Sequence, residues 1–296
     1  MRPAVRSLAD RLLTPVRSRG RLIVWTPDYM GFGNVLYVLH WVSTARSRGY
    51  ALWALETPAL RPWLSTFPEL ADLVVTPEQV RFSDARLMPF SPAGRERLPG
   101  GMYAAVKPLD PARPFADFLN RYLLPGLERH TPFTLRPDDR THLWVNVRRG
   151  DYYSHPRHRQ EYGFDVASYV RVALAGTLAQ DGPVEAITVV SDGIDWCQAH
   201  LSFLDDVAPV TFAPTSDGPV RNFVDIAHAR RLILTNSTFS YWAAMIGNVL
   251  RGDNHAEVWA PRFFDRTTNE GRSTLVDERW SIVEDIPGGW DSILSR

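Results

Sequence analysis

The sequence is short of cysteine, of lysine and of long apolar runs. Cys197 is its one cysteine, so no internal disulfide can form and no multi-cysteine metal cage can be built. That scarcity fits a reducing compartment and gives the expectation of a cytoplasmic location. No stretch approaches the roughly 18 consecutive apolar residues that span a bilayer, and the first residues lack the apolar core of a secretory signal. Charge of one sign is not in surplus either, with Lys+Arg and Asp+Glu at 33 each. Without a basic excess to neutralise phosphates, no nucleic-acid partner is expected. Repeats and low-complexity tracts are absent too, so the order of elements must carry the fold argument.

The first twenty residues are locally basic. Arg2, Arg6, Arg11, Arg17 and Arg19 face the single acid Asp10, with Leu8, Leu12 and Leu13 interleaved. The pattern suits a frayed or surface leader, or a peripheral rest on anionic lipid. Pro3 and Pro15 interrupt the apolar face, so peripheral contact is the most that is expected of a membrane.

What is present is a well-mixed globular composition, 45% hydrophobic and 11% aromatic over 296 residues. That length suits two domains of roughly 100 to 150 residues each. Arg21 to Trp25 reads as a buried strand, Thr26 to Gly33 as a turn, and Asn34 to Arg48 as an apolar helix closed by Gly49. Ala51 to Leu55 follows as a second strand. Prolines interrupt the pattern from about 57 to 140 until a helix from Phe115 toward Arg129. Pro132 to Arg140 reads as the linker, placing one domain at 1–140 and the other at 141–296. Beyond it strands at 142–147, 186–190, 208–213, 231–235 and 256–260 alternate with helices at 165–180, 194–204, 220–229 and 237–250. Alternation of this kind predicts an α/β fold with a parallel sheet, ligands lying at the carboxyl ends of the strands.

The unusual residues fall at those strand ends. Gly31-Phe32-Gly33-Asn34 sits between the first strand and a helix, where a free helix N-terminus can meet an anion. It is not the dinucleotide fingerprint, because Leu36 stands where the third glycine belongs. It is equally compatible with a tight turn that merely needs glycine. Asn146-Val147-Arg148-Arg149-Gly150-Asp151-Tyr152 ends a buried strand in two guanidinium groups, whose planar forks suit phosphate. Asp151 can steady an arginine or act on a substrate hydroxyl, and the alternative for the whole motif is an interdomain salt bridge. Asn236, Ser237, Thr238, Phe239 and Ser240 begin a helix after another buried strand. They read either as helix caps or as a phosphate cradle that needs no metal. Ser191-Asp192-Gly193 ends a third strand, where a carboxylate can accept from a purine amine or a ribose. No Asp-x-Asp stands at a strand end to argue for a cation.

In this order the motifs resemble those of the bacterial α-1,2-fucosyltransferases of glycosyltransferase family 11. The family's Gly-x-Gly-Asn-Gln loop is similar to Gly31 to Asn34, and its His-x-Arg-Arg-Gly-Asp-Tyr motif to Asn146 to Tyr152. Its Ser-Asp-Asp element resembles Ser191 to Gly193, and its Asn-Ser-Thr-Phe-Ser-Trp-Trp motif Asn236 to Trp242, with Asp225 in the preceding helix. The sequence departs from the pattern at Val35, Tyr37, Asn146, Gly193 and Tyr241. The resemblance implies a GT-B fold of two Rossmann-like domains, an acceptor-side first domain and a GDP-sugar-binding second one. The C-terminal tail is then expected to pack back on the first domain. The resemblance further implies GDP-fucose as donor, a glycan or glycosylated small molecule as acceptor, inversion at the anomeric carbon, and neither metal nor other cofactor.

Arg148 is then expected to neutralise the leaving diphosphate and Asp151 to serve as base, with Glu161 and Asp28 behind it. Gly31, Gly33, Asn34, Asn146, Arg149, Ser191, Asp192, Asp225 and residues 236–240 are expected at the donor. Transfer in another linkage, as in the α-1,6 type that shares the arginine motif, is the first alternative. A catalytically silent relative that binds nucleotide or glycan is the second. An NAD-dependent oxidoreductase is the third, and it lacks the full glycine fingerprint.

Overall fold

The computed structural model describes residues 20–28, 30–87, 113–130, 140–214, 216 and 218–293. Two compact units divide the chain, Met1–His130 and Thr131–Arg296. The basic leader lies outside the described residues, as does the expected linker up to Arg140.

The first unit is built on one parallel sheet. β1 (Leu22–Val24), β2 (Leu52–Leu55), β3 (Val74–Val75) and β4 (Ala85–Leu87) lie in the order β3-β2-β1-β4. β3 and β4 are too short for their periodicity to show in sequence. Behind β1 runs α1 (Phe32–Ser47), with every residue from Val35 to Val42 buried. Such an apolar helix has no solvent face, so its stability comes from packing. The chain leaves it through Gly49 at φ 87°, a left-handed conformation that costs glycine little. After α2 (Arg61–Thr66), the helix expected from Phe115 to Arg129 forms in three pieces. α3 (Arg113–Phe118) passes through a π-helical turn at Leu119–Leu123 into α4 (Leu124–His130).

The second unit carries a longer parallel sheet. Its strands are β5 (His142–Val147), β6 (Ala186–Ser191), β7 (Val210–Phe212), β8 (Arg231–Leu234), β9 (Val258–Pro261) and β10 (Ser281–Val283), in the order β10-β9-β8-β5-β6-β7. Its helices are α5 (Gly150–Ser154), α6 (Pro156–Tyr162), α7 (Val166–Asp181), α8 (Ile194–His200), α9 (Gly218–His228) and α10 (Thr238–Arg251). Alternation along β5 sends Leu143, Val145 and Val147 into one core with Ile187 and Val189 of β6 and with Val166, Tyr169, Val170 and Ala173 of α7. The phenol of Tyr169 donates to the carbonyls of Leu234 at 2.5 Å and Trp259 at 3.2 Å, tying α7 to the end of β8 and to β9.

The five predicted strands and four predicted helices of this half all form, with edges moved by a few residues. Helix 194–204 breaks at Leu201 into α8 and a 3-10 turn, Ser202–Leu204. The last predicted strand starts two residues late because His255–Glu257 coils as a 3-10 turn. The tail adds β10 beside β9, and Trp290 packs on Phe164 and Phe263 of the same unit. Two α/β units, each with a parallel sheet, are the halves that the GT-B expectation requires.

Candidate functional site

Strand order decides where ligands can enter. From β5 the chain moves outward to β6 and β7, then returns to lay β8 against the other side of β5. Loops leaving β5 and β8 therefore diverge at their carboxyl ends and open a crevice between them. Arg148 leaves β5 there, and Thr235 leaves β8. The two are bonded directly, the Thr235 hydroxyl accepting from the Arg148 backbone N–H at 2.8 Å.

The Arg148 guanidinium is held by two carboxylates. Nη1 donates to Asp192 Oδ2 at 2.5 Å, and Nη2 donates to Asp151 Oδ1. Asp192 also accepts the Arg149 backbone N–H on its other oxygen at 2.6 Å. Both oxygens of the expected ribose or purine acceptor are thus engaged by the arginine pair. Arg148 keeps a side-chain exposure of 36%, so one edge of the fork remains open to a ligand. The geometry requires Gly150, since a β-carbon there would stand 2.4 Å from Asp192 Oδ2. Ser191 is buried, and its hydroxyl accepts the Gly193 N–H at 2.9 Å, which tightens the turn carrying Asp192.

Arg149 serves differently from its neighbour. Its guanidinium carbon lies 3.5 Å from the ring centre of Tyr153 and 3.9 Å from that of Trp196, a cation held between two aromatic faces. Burial lowers its pKa below the ordinary arginine value, against the raising influence of Tyr153 and Cys197. Burial pushes the Tyr153 phenol up to about 12 and the Cys197 thiol up to about 11, so both are neutral at pH 7. Gly193 lets the clamp close, because a β-carbon there would lie 2.7 Å from Arg149 Cβ.

The start of α10 faces the same crevice. Ser237 occupies the N-cap position in extended conformation, yet its side chain makes no capping bond. The first N–H groups of a fourteen-residue helix are left without a side-chain cap, an arrangement suited to an anion. Thr238 and Phe239 are half-buried there, Phe239 packing edge-on against Phe223 of α9.

Three residues expected at the donor are instead buried and bonded within the protein. Asn146 donates to the Val190 carbonyl at 3.2 Å, and its Oδ1 accepts from the Ser240 hydroxyl. Asn236 donates to the carbonyls of Tyr162 at 2.9 Å and Phe264 at 2.7 Å. The reason lies in the alternation of β5, which turns Asn146 away from the strand end and toward α10. These amides shape the crevice from behind. Asp225 pairs with Arg221 one helical turn earlier at 2.9 Å.

In the first unit, Gly31 is the N-cap of α1, and no side chain caps that helix. The helix begins at Phe32, so Gly33 and Asn34 lie in its first turn and not in the turn before it. Asp28 is exposed in the loop after β1. Of the other base candidates, Glu161 accepts from the Thr267 hydroxyl at 3.3 Å, while Asp151 binds Arg148 and has His158 Nδ1 at 3.5 Å.

Sequence reasoning missed Thr235, His158 and the Tyr153–Trp196 clamp. Tyr153 was open to discovery, since it follows Arg149 by one helical turn once a helix starts at Gly150. Trp196 was not, because it reaches Arg149 from another strand's end.

Residues 127–258 match the model of the family described as glycosyl transferase family 11. Galactoside alpha-(1,2)-fucosyltransferase 1 of Homo sapiens is 32% identical over 112 residues, which cover 36% of this chain and 29% of that protein. The protein of the same name from Alouatta belzebul is 32% identical over 118 residues, 38% of this chain and 31% of its own. The matched part is thus less than a third of the length of these curated relatives. Among solved structures, an Arabidopsis thaliana FUT1 mutant in complex with GDP aligns with a TM-score of 0.41 at 12% identity, covering 81% of this chain and 72% of that one. The matched residues 127–258 contain the Arg148 motif and the α10 start, so it is this part of the chain that is similar to glycosyl transferase family 11.

Proposed function

We infer that the chain is an inverting glycosyltransferase that moves L-fucose from GDP-fucose to a sugar hydroxyl of a glycan or glycoside, in α-1,2 linkage. The observation that carries this reading is the half-exposed Arg148 fork beside the uncapped start of α10, at the switch point between β5 and β8. As the bond from the anomeric carbon to the phosphate oxygen lengthens, negative charge gathers on the departing diphosphate. A guanidinium pre-aligned by Asp151 and Asp192 meets that charge without reorganising, and the helix N-terminus adds N–H donors. A cation has this task in other transferases, so the reaction is metal-independent in this reading. The match of residues 127–258 to the family model and the names of the mammalian relatives support fucose and the α-1,2 linkage. The first unit takes the acceptor side, and Cys197 fits a reducing cytoplasm.

A thermal-shift screen tests the donor. GDP and GDP-fucose at 100 times their dissociation constants should each add about 2.7 kcal/mol of stability. Equal or larger effects of UDP- or dTDP-sugars would overturn the guanine assignment. Transfer should persist in excess EDTA, and loss restored by manganese or magnesium would refute the metal-independent scheme. Stabilisation by GDP with no transfer to any sugar acceptor would mark a silent binding relative.

A further inference from the structure

Asp151 binds Arg148 through one carboxylate oxygen and approaches His158 with the other. Oδ1 accepts from Arg148 Nη2, while Oδ2 lies 3.5 Å from Nδ1 of His158, the third residue of α6. That Nδ1 is shut from solvent. The His158 side chain nevertheless stays 39% exposed, so the open edge of the ring is the one bearing Nε2. A histidine with its inner nitrogen toward a carboxylate and its outer nitrogen open has the orientation of a general base.

We propose that His158, oriented by Asp151, is the general base that takes the proton of the acceptor hydroxyl. This rests on the transferase reading. Inverting displacement needs one group for the leaving diphosphate and another for the incoming hydroxyl. Asp151 links two such groups, Arg148 on one oxygen and His158 on the other. The acceptor oxygen forms its bond to the anomeric carbon as the bond to the diphosphate breaks, and that electron pair departs with GDP. The hydroxyl proton passes to Nε2, leaving Nδ1–H toward Asp151, whose negative charge offsets the imidazolium. Bulk water then receives the proton from the exposed edge.

Asp151 itself is a positioning residue in this scheme, since Arg148 holds its other oxygen. Glu161, on the same helix, is turned to Thr267. The charged and titratable groups around the imidazole are Asp151 from α5 with Arg148 behind it, the His155 ring at 4.6 Å and the Tyr162 ring at 6.2 Å.

The test compares wild type, His158→Gln and His158→Ala in the full chain, with GDP binding, kcat, KM for acceptor and melting temperature measured together. Loss of a general base should lower kcat by about a hundredfold or more. GDP affinity should stay within twofold, and the melting temperature should hold for an exposed side chain. Added imidazole should restore part of the activity of His158→Ala. A folded His158→Gln enzyme with near-normal kcat, or one changed only in KM, overturns the proposal while leaving the transferase reading intact. A wild-type protein that neither binds GDP nor transfers fucose overturns both.

Discussion

The carboxylate of Asp192 occupies the space that a side chain on residue 150 would fill. A β-carbon at Gly150 would lie 2.4 Å from Asp192 Oδ2, and the backbone there has φ +20°. Gly150→Ala should therefore drive Asp192 outward and release both of its bonds to the arginine pair. Both bonds are exposed to solvent and contribute little to stability, so only a modest drop in melting temperature is expected, with at least a tenfold loss of transfer. If the two residues act through one another, Gly150→Ala combined with Asp192→Ala should be little worse than either alone. Fully additive losses in the double-mutant cycle would show that the glycine has another task.

Arg148 carries the most weight in the chemistry. Arg148→Ala should lower turnover by on the order of a hundredfold or more, the cost typical of losing one pre-aligned donor to developing charge. Arg148→Lys should remain impaired, because a point charge cannot span Asp151, Asp192 and a phosphate as a planar fork does. Both variants should fold, since exposed ion pairs contribute little to stability. Circular dichroism beside transfer rates checks this, and a folded alanine variant with normal turnover at saturating donor would make the arginine structural.

His228 should make the second unit acid-sensitive. Burial, with Arg251 and Arg221 nearby, lowers its imidazole pKa from 6.5 to about 4. The unfolded chain therefore binds the proton first as pH falls, so His228 favours the folded state fully above pH 6.5. That contribution is lost progressively between about pH 6.5 and pH 4. A displacement of this size corresponds to at most on the order of 3 kcal/mol. Urea unfolding of wild type and His228→Gln at pH 7 and pH 5 isolates the effect. Wild type should lose more stability over that interval than the variant, and equal losses would contradict the assignment.

Much of this architecture was legible because its physics is local. Buried parallel strands read as short apolar runs, and Leu232-Ile233-Leu234 and Val145 to Val147 stand out between turn signals. Helix ends were marked by Gly49 and by the Asn236 to Thr238 cluster. β3, β4 and β10 escaped because two or three residues carry no period. The helices after β5 escaped because residues 150–162 are polar and half-exposed, without an apolar stripe.

The sequence by itself determined that Arg148 stands at a strand end, that a helix starts after Thr235, and that both belong to one βα series. Tertiary structure decided what each residue does there. Strand order returns β8 to the side of β5, which brings Thr235 to the Arg148 backbone from 87 positions away. It also brings Asp192 to the arginine pair, sets Trp196 against Arg149, and turns Asn146 and Ser240 toward each other. Arg231 shows the same limit. The first residue of a predicted strand, it is fully buried, and its guanidinium donates to the carbonyls of Arg140, Thr177, Gly182 and Pro183. Propensity and periodicity act between residues a few positions apart. The partners of a side chain at a strand end are set instead by which strand lies alongside, and that depends on the packing of the whole sheet.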